Sequence, residues 1–399
     1  MAGNRLNRLD AAVMTDQEML RRWHRAGLSR EQQEDERLFR VGIANLALLE
    51  LRRINRLGKP IGSEEAIVQA LDRPAEWPED GMLRRVIRTA IAGLYAVGID
   101  IGEADVALGT DGRASMRAAR KMRKTPPAIW EKDSLPQHAK LLIGADPEFV
   151  LIRPDGKIAP ASRYLGEGVG GAAGSDAMLV GRRLVYPVAE LRPEPAADVA
   201  GLAANVRRLL FRAAELVRDP SLRWAAGAMP VPGLALGGHI HLSGVRLTPR
   251  LLRLLDSYAA MPLALVEDPA GRGRRPRYGI LGDYRLQPHG GFEYRTLPSW
   301  LVSPAAAKAA FALALLCARE ADALHDIPAL DERYVEAYYA GDRTELAGCL
   351  DRVAAAMSAT DSYAALAPYI EPVLDAAKRG VTWDERADIR VKWRIPRPE

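Results

Sequence analysis

The stretch Gly237-Gly238-His239-Ile240-His241-Leu242-Ser243-Gly244 places two histidines two residues apart among apolar residues, with glycines on either side. Side chains of a β-strand alternate between its two faces, so His239 and His241 are predicted to share one face. Ile240 and Leu242 then lie on the other face. The chain has only 6 histidines. Two on one face of one short strand indicate either a pair of imidazoles held beside a turn or a metal or phosphate site.

Three further stretches show the same alternation, and each carries a polar pair two residues apart. The pairs are Asp146 and Glu148 within 141–152, Glu190 and Arg192 within 185–192, and Glu293 and Arg295 within 291–297. One such pair is typical of a solvated sheet face. Four in one chain, combining carboxylates, imidazoles and guanidinium groups, predict a sheet with one face that binds cations together with an anion.

The composition is that of an ordinary globular protein. The chain has 399 residues, 48% of them apolar and 27% charged. This length is enough for two domains or for one large domain with an extension. A net charge of +5 is too small over this length to indicate nucleic acid as a partner. Two cysteines fit a reducing compartment and not a disulfide scaffold. The start lacks a signal peptide and the longest apolar run, 309–318, is too short to cross a membrane. We therefore expect a cytoplasmic protein without a membrane partner.

Residues 1–136 are predicted to form a helical N-terminal region of unknown role. Apolar residues at helical spacing run from 36 to 57 and stop at Gly58, and a second such run covers 82–94. The stretch 113–124 holds six basic residues and no acidic one. Contact with nucleic acid or an acidic partner is one interpretation, and a solvated helix face is the one that we favour. Pro126-Pro127 then marks a linker, and the pattern changes from helical to strand-like beyond it.

Residues 137–399 are predicted to form the second domain, with a motif core at 141–300 and a helical part at 301–399. Asp155-Gly156 indicates a hairpin turn, and Thr248-Pro249 and Ser303-Pro304 are typical helix starts. Hairpin-like strands interleaved with helices predict an α+β fold: a mainly antiparallel sheet with helices packed on one face and the polar pairs on the other. A glycine-rich stretch, 166–174, and an arginine run, 272–277, are candidates for segments that close over ligands.

The polar face holds the groups that phosphoryl transfer needs. Asp146, Glu148, Glu190 and Glu293 offer oxygen ligands for Mg²⁺, and a histidine ligand such as His239 leaves Mn²⁺ open as an alternative. The arginines Arg285 and Arg295, with His289 between them, would place positive charge beside a phosphate. Carboxylates, a metal ion and arginines together favour catalysis by positioning and charge neutralisation.

Four motifs in their order along the chain resemble those of the phage-type carboxylate–amine ligases, within the glutamine synthetase and glutamate–cysteine ligase fold group. The motifs are Gly144-Ala145-Asp146-Pro147-Glu148-Phe149, Glu190-Leu191-Arg192-Pro193, Gly238-His239-Ile240-His241, and Phe292-Glu293-Tyr294-Arg295-Thr296-Leu297-Pro298-Ser299-Trp300. The resemblance runs from about residue 141 to 300 and does not include the N-terminal region. It implies a glutamine-synthetase type of sheet, and the host cytoplasm as the location if the gene belongs to a phage or prophage.

The resemblance also implies an activity and residue roles. In this group ATP phosphorylates a carboxylate, and an amine then displaces phosphate from the acyl phosphate to form an amide, leaving ADP and phosphate. By the same likeness, metal binding falls to Asp146, Glu148, Glu190, His239 and Glu293. Contact with the ATP phosphates falls to His241, Arg285 and Arg295, and catalysis to Arg295, Glu293 and Arg285. His289 is a further candidate for phosphate contact because of its position between the two arginines. Asp146 departs from the Glu-x-Glu pattern of the better-known relatives and is a shorter acid.

Two other functions are compatible with the same residues. A metal-dependent hydrolase could use the histidines and carboxylates to activate water, and a non-catalytic binding protein could keep the sheet without the activity. A nucleotide requirement separates the ligase from the hydrolase. Neither the carboxylate nor the amine substrate has a motif, so small molecules and peptides both fit, and the oligomeric state has no signal in the sequence.

Overall fold

The computed structural model describes residues 14–28, 35–61, 67–69, 76–122, 139–166, 173–180, 183–288 and 290–396. The chain forms two compact units, Met1–Gln137 and His138–Glu399. The boundary between them lies beside the predicted boundary at residue 136.

The N-terminal unit contains a five-stranded antiparallel sheet in the order β3-β2-β1-β4-β5. Its strands are β1 (Arg37–Ala44), β2 (Ala47–Ile54), β3 (Val68–Gln69), β4 (Ile101–Leu108) and β5 (Ala114–Lys121). Its helices are α1 (Asp16–Arg25) and α2 (Gly81–Ala96). Helix α2 buries its apolar stripe, including Val86, Ala90 and Leu94, as its spacing predicts.

The prediction of a helical N-terminal region is wrong, because the residues 36–57 form the hairpin of β1 and β2 and the basic run 113–124 contains strand β5. A two-residue turn joins β1 to β2, with Asn45 and Leu46 at φ 50° and 68°, the left-handed conformation of favoured hairpin turns. Apolar residues in this stretch fit a helical spacing, but Phe39 and Val41 also alternate as strand residues and are buried. The apolar residues therefore fit a helix and a strand almost equally well, and pairing with β4 favours the strand.

The C-terminal unit is built on a second antiparallel sheet, with the order β12-β13-β11-β6-β9-β8 and with β7 and β10 also paired to β6. Its strands are β6 (Leu142–Ile152), β7 (Ile158–Ala159), β8 (Ala173–Val180), β9 (Arg183–Leu191), β10 (Arg223–Ala225), β11 (Gly238–Ser243), β12 (Tyr284–Leu286) and β13 (Phe292–Tyr294). Strands β6 and β7 form the predicted hairpin, with Gly156 at φ 79°.

Helices fill the rest of this unit. They are α3 (Ser162–Leu165), α4 (Val199–Leu216), α5 (Pro249–Leu255), α6 (Met261–Val266), α7 (Pro304–Arg319), α8 (Glu332–Ala340), α9 (Arg343–Ala347), α10 (Leu350–Ser358), α11 (Tyr363–Lys378) and α12 (Ile389–Trp393). A π-helical turn, Asp256–Ala260, separates α5 from α6, and a 3₁₀ turn, Pro269–Arg274, follows α6. Thr248 and Ser303 cap α5 and α7 as predicted, each accepting a main-chain N–H with its side chain.

The central strands have one apolar and one polar face. Ile240 and Leu242 of β11 are buried, as are Ile143 and Ala145 of β6, and helix α7 packs against the sheet beside β11. The predicted α+β fold, a mainly antiparallel sheet with helices on one face, is confirmed. No helix among the described residues combines the length and the apolar character that crossing a membrane requires.

Candidate active site

The four motif strands are neighbours in the sheet, in the order β13-β11-β6-β9. His239 lies opposite Asp146, and His241 lies opposite Glu293. On the other side of β6, Glu148 lies opposite Glu190. Side chains of directly paired residues point to the same face of a sheet. The register therefore brings the four polar pairs onto one face, and this common face is the candidate active site.

Glu293 is the centre of this cluster, and its side chain is 0% exposed. One carboxylate oxygen accepts hydrogen bonds from Arg285 Nε at 2.7 Å and Gln287 Nε2 at 2.9 Å. The other lies 3.0 Å from His239 Nδ1 and 3.2 Å from Arg295 Nε. Burial by itself raises the pKa of Glu293, but His239 and the two arginines outweigh it and lower that pKa to about 2. The carboxylate is therefore charged at any pH at which the protein works.

His239 interacts with two of the acids, Glu293 and Glu148. Burial lowers its pKa, but the interaction with Glu293 and the negative charge of Glu148 raise it above the ordinary value. Glu148 accepts the N–H of Gly237 at 2.6 Å. A side chain at position 237 would place its Cβ 2.4 Å from His239 Nε2, so the glycine before the motif makes room for the imidazole. Sheet register and this glycine together set the orientation of the ring.

Asp146, His241 and Glu293 form the group best suited to a metal ion among the described residues. One ligand atom from each lies within 4.8 Å of the others, and His241 Nε2 lies 2.8 Å from Asp146 Oδ2. Carboxylate oxygens with an imidazole nitrogen are a donor set for Mg²⁺ or, with the histidine, Mn²⁺. The histidine in this group is His241, which the resemblance assigned to the ATP phosphates. His239, assigned to the metal, instead faces Glu293.

The remaining predicted residues have different positions. Glu190 lies one strand beyond β6, and its carboxylate pairs with Arg192 at 2.6 Å. It belongs to the same face but not to the three-residue group that could hold a metal ion. His289 lies outside the described residues, as does most of the glycine-rich stretch 166–174. The roles predicted for these residues stay predictions.

Two residues of the cluster were not predicted from the sequence. Gln287 donates to Glu293. Asp283 lies close enough to Arg295 and Glu293 to interact with both charges. Burial raises the pKa of Asp283 above its ordinary value, although the positive charge of Arg295 lowers it. Both stand at two-residue spacing from Arg285, so the alternation of strand β12 carries the signal that would have found them.

The residues that follow β13 support the cluster from behind. Trp300 Nε1 donates to the carbonyl oxygen of Gly238 at 2.9 Å, and Ser299 Oγ donates to the carbonyl oxygen of Glu148 at 2.5 Å. Tyr294 donates its hydroxyl to Asp256 in the π-helical turn at 2.6 Å. The end of the fourth motif therefore has a structural role, since it ties the main chains of β6 and β11 to the helical layer.

Comparison with solved structures finds similarity at low identity. A bifunctional glutathione synthetase from Pasteurella multocida is 10% identical with a TM-score of 0.36, and the match covers 64% of this chain and 51% of the synthetase. This chain therefore spans about half the length of that protein. GmaS without ligand and GmaS in complex with ADP are each 17% identical, with TM-scores of 0.34 and 0.31, over 60% of this chain and 70% of GmaS. No curated protein sequence matches this chain.

Residues 143–395, more than half of the chain, match the family model described as phage phiEco32-like COOH.NH2 ligase-type 2. The match includes all four motif strands and the helices packed on them. It confirms the resemblance seen in the motifs and extends it beyond residue 300 to the C-terminal helices. With the four polar pairs on one sheet face and the family model spanning them, the chain belongs to the phage phiEco32-like family of COOH.NH2 ligases, type 2.

Proposed function

We propose that the protein is an ATP-dependent carboxylate–amine ligase that forms an amide through an acyl phosphate and releases ADP and phosphate. The observation that carries the proposal is the cluster around Glu293, where carboxylates, two imidazoles and two arginines share one sheet face. Family membership supports the reaction class. The substrates are a carboxylate and an amine, each a small molecule or a peptide.

The carboxylates fit a divalent cation that accompanies ATP. Asp146, His241 and Glu293 would hold such an ion, and Glu148, Glu190 and His239 lie on the same face for a second ion. When bound, Mg²⁺ or Mn²⁺ supplies positive charge that offsets the charge of the triphosphate and of the transferring phosphoryl group. Without it, the acids of this face would repel ATP.

Arg285 and Arg295 are the groups that would bind the transferring phosphoryl group. Both guanidinium groups are paired with Glu293, and the two side chains are partly exposed, at 56% for Arg285 and 37% for Arg295. An arginine held by a buried carboxylate is oriented in advance, so little freedom is lost when a phosphate oxygen replaces water beside it. Arg285 and Arg295 would thus stabilise the negative charge that develops on the phosphoryl oxygens.

The reaction has two steps. A carboxylate oxygen of the first substrate attacks the γ-phosphorus, the bond from that phosphorus to the bridging oxygen breaks, and ADP leaves. The amine nitrogen of the second substrate then attacks the acyl carbon, phosphate leaves, and the nitrogen loses a proton. An acyl-enzyme on cysteine does not fit this site, because Cys317 and Cys349 are buried and burial raises the pKa of both thiols.

The test is nucleotide turnover with pooled amino acids and peptides in the presence of Mg²⁺. We expect ADP and phosphate in equal amounts, and hydroxylamine should trap the activated carboxylate as a hydroxamate. AMP with pyrophosphate would contradict the acyl phosphate. Amide bond cleavage without any nucleotide requirement would instead identify the metal-dependent hydrolase.

A matched pair of arginine variants tests the site itself. Arg295→Ala should lower turnover by on the order of a hundredfold or more, as loss of a charge that stabilises the transition state does. Arg212→Ala, which removes an exposed arginine from helix α4, should leave turnover unchanged. Equal activities of the two variants, with both proteins folded, would rule out the role proposed for Arg295.

A further inference from the structure

The arginine run that the sequence analysis noted borders a cavity in the C-terminal unit. The cavity has a volume of about 270 Å³, and its walls come from the end of α6, the 3₁₀ turn Pro269–Arg274, the end of α8 and the first residues of α9. Arg272, Arg275 and Arg343 line it together with Glu267 and the apolar Leu346. None of the residues of the candidate active site is among its lining residues.

One of the three arginines is already neutralised. Arg275 forms an ion pair with Glu267, and both side chains are almost fully buried, at 2% and 3% exposed. Its guanidinium lies 4.1 Å from the ring centre of Tyr338 and donates to the carbonyl oxygen of that residue at 3.2 Å. This pair is a fixed wall of the cavity and leaves no net charge there.

The other acid of the cavity, Asp268, uses its side chain to begin the 3₁₀ turn. Its carboxylate accepts the N–H of Ala270 at 2.9 Å. Among the described residues, neither Arg272 nor Arg343 forms an ion pair with a carboxylate. Arg343 donates one N–H to the carbonyl oxygen of Glu267 at 3.2 Å, which leaves the other donors of its guanidinium unused by that contact. Arg272 and Arg343 therefore contribute two positive charges beside the negative charge of Asp268, which leaves a net charge of +1 around the cavity.

The stem of Arg272 is held in place by the end of helix α8. Gly341 is the left-handed C-cap of that helix, with φ 69°. A Cβ at this position would lie 2.9 Å from Cβ and 3.1 Å from Cδ of Arg272, so the absence of a side chain lets the arginine pass close to the main chain. Apolar side chains, among them Ala264 and Leu346, also line the cavity.

We propose that this cavity binds a small organic anion, with its carboxylate or phosphate group held by Arg272 and Arg343 and its apolar part against Leu346. Arginine forms paired hydrogen bonds to either group. The volume of about 270 Å³ lies just below the usual range of ligand pockets, which fits a small metabolite and not a nucleotide. This site is separate from the candidate active site and does not depend on the proposed ligase activity.

The test is calorimetric titration of the full chain, in a buffer free of both ions, with inorganic phosphate and with succinate as the two probes. We expect saturable binding of at least one probe, and the stronger probe tells phosphate from carboxylate. Arg272→Ala and Arg343→Ala should each weaken that binding by about tenfold or more, the loss expected when a charged hydrogen-bond donor is removed.

Arg277→Ala is the matched control. Arg277 belongs to the same run, but it is exposed and lies over the ring of Tyr278, so its removal should leave binding unchanged. Thermal unfolding of each variant checks that the fold is kept. Absence of saturable binding of either probe would overturn the proposal, as would equal affinity in Arg272→Ala, Arg343→Ala and Arg277→Ala. Binding lost in Arg295→Ala but kept in Arg272→Ala would place the anion at the candidate active site instead, and would also overturn it.

Discussion

Glu385→Gln should increase the stability of the C-terminal unit relative to the wild type as the pH rises from 5 to 8. Glu385 is 3% exposed, and its two carboxylate oxygens accept the main-chain N–H groups of Ala228 and Met229 at 2.6 and 3.0 Å. A Cβ at position 227 would lie 2.2 Å from the carboxyl carbon, so the glycine there allows this close approach. The hydrogen-bond partners of this carboxylate are thus uncharged main-chain N–H groups.

Burial raises the pKa of Glu385 from 4.5 to about 7, and the negative charges of Asp268 and Glu267 add to the effect, while the two main-chain N–H groups oppose it. Each pKa unit corresponds to about 1.4 kcal/mol, so ionisation of Glu385 in the folded protein costs on the order of 3 kcal/mol. Between pH 4.5 and about 7 the folded state binds more protons than the unfolded state. Stability due to this group is therefore full below 4.5 and is lost as the pH rises through the folded pKa.

The glutamine variant has no charge, like the protonated acid, so its stability should not fall as the pH rises through the folded pKa of Glu385. Its NH2 group cannot accept the second main-chain N–H, as the hydroxyl oxygen of the acid can, so the variant should be the less stable protein at pH 5. We expect the difference in unfolding temperature between the two proteins to shift by several degrees in favour of the variant from pH 5 to pH 8, at roughly 2–4 °C per kcal/mol. Calorimetry from pH 5 to 8 measures the difference. Glu371→Gln, at an exposed position of helix α11, shows the effect of removing a surface carboxylate. A difference that is constant with pH, or that favours the wild type as the pH rises, would refute the reasoning.

Three further outcomes are expected. Asp105→Ala should destabilise the N-terminal unit by roughly 1–3 kcal/mol in urea unfolding, because Arg40 and Arg120 each donate two hydrogen bonds to that carboxylate. Burial raises the pKa of Asp105, but the two arginines lower it by more, so the net pKa is below the ordinary value of 3.8. The loss of stability in Asp105→Ala should therefore become smaller as the pH falls below 3.8, and a loss that grew in acid would contradict this. Asp146→Asn should weaken Mn²⁺ binding about tenfold or more in calorimetry, and unchanged affinity would remove Asp146 from the metal group. A protein truncated to His138–Glu399 should stay soluble and unfold cooperatively on its own; its aggregation would show that this unit does not fold alone.

The polar face of the C-terminal sheet was readable from the sequence because strand alternation is a local property. His239 and His241 share a face whatever the strand pairs with, and the same holds for Glu293 and Arg295. The helix starts at Thr248-Pro249 and Ser303-Pro304 could also be predicted from the local sequence. A capping side chain accepts a main-chain N–H only three residues further along the chain. The order of the four motifs was sufficient to identify the family.

The contacts of each polar side chain could not be predicted from the sequence. They depend on the register of the sheet and on side chains that contact diagonal neighbours on the next strand. His239 stands opposite Asp146 but contacts Glu293, while His241 stands opposite Glu293 but contacts Asp146. Gln287 joined the cluster only once strand β12 paired with β13. The spacing of residues along the chain does not predict these contacts between strands.

The sequence predicts the sheet of the C-terminal unit and its two faces, because a period of two and a capping residue act over a few residues. It also predicts most of the groups on the polar face, with the exception of Gln287 and Asp283. The hairpin at residues 36–57 depends instead on the pairing of β1 with β4, since the apolar pattern of these residues fits a helix as well as a strand. The tertiary structure also sets the low pKa of Glu293 and the high pKa of Glu385. The two glutamates differ in what surrounds the buried carboxylate, arginines and a histidine in one case and only neutral dipoles and other acids in the second, and long-range packing sets those surroundings.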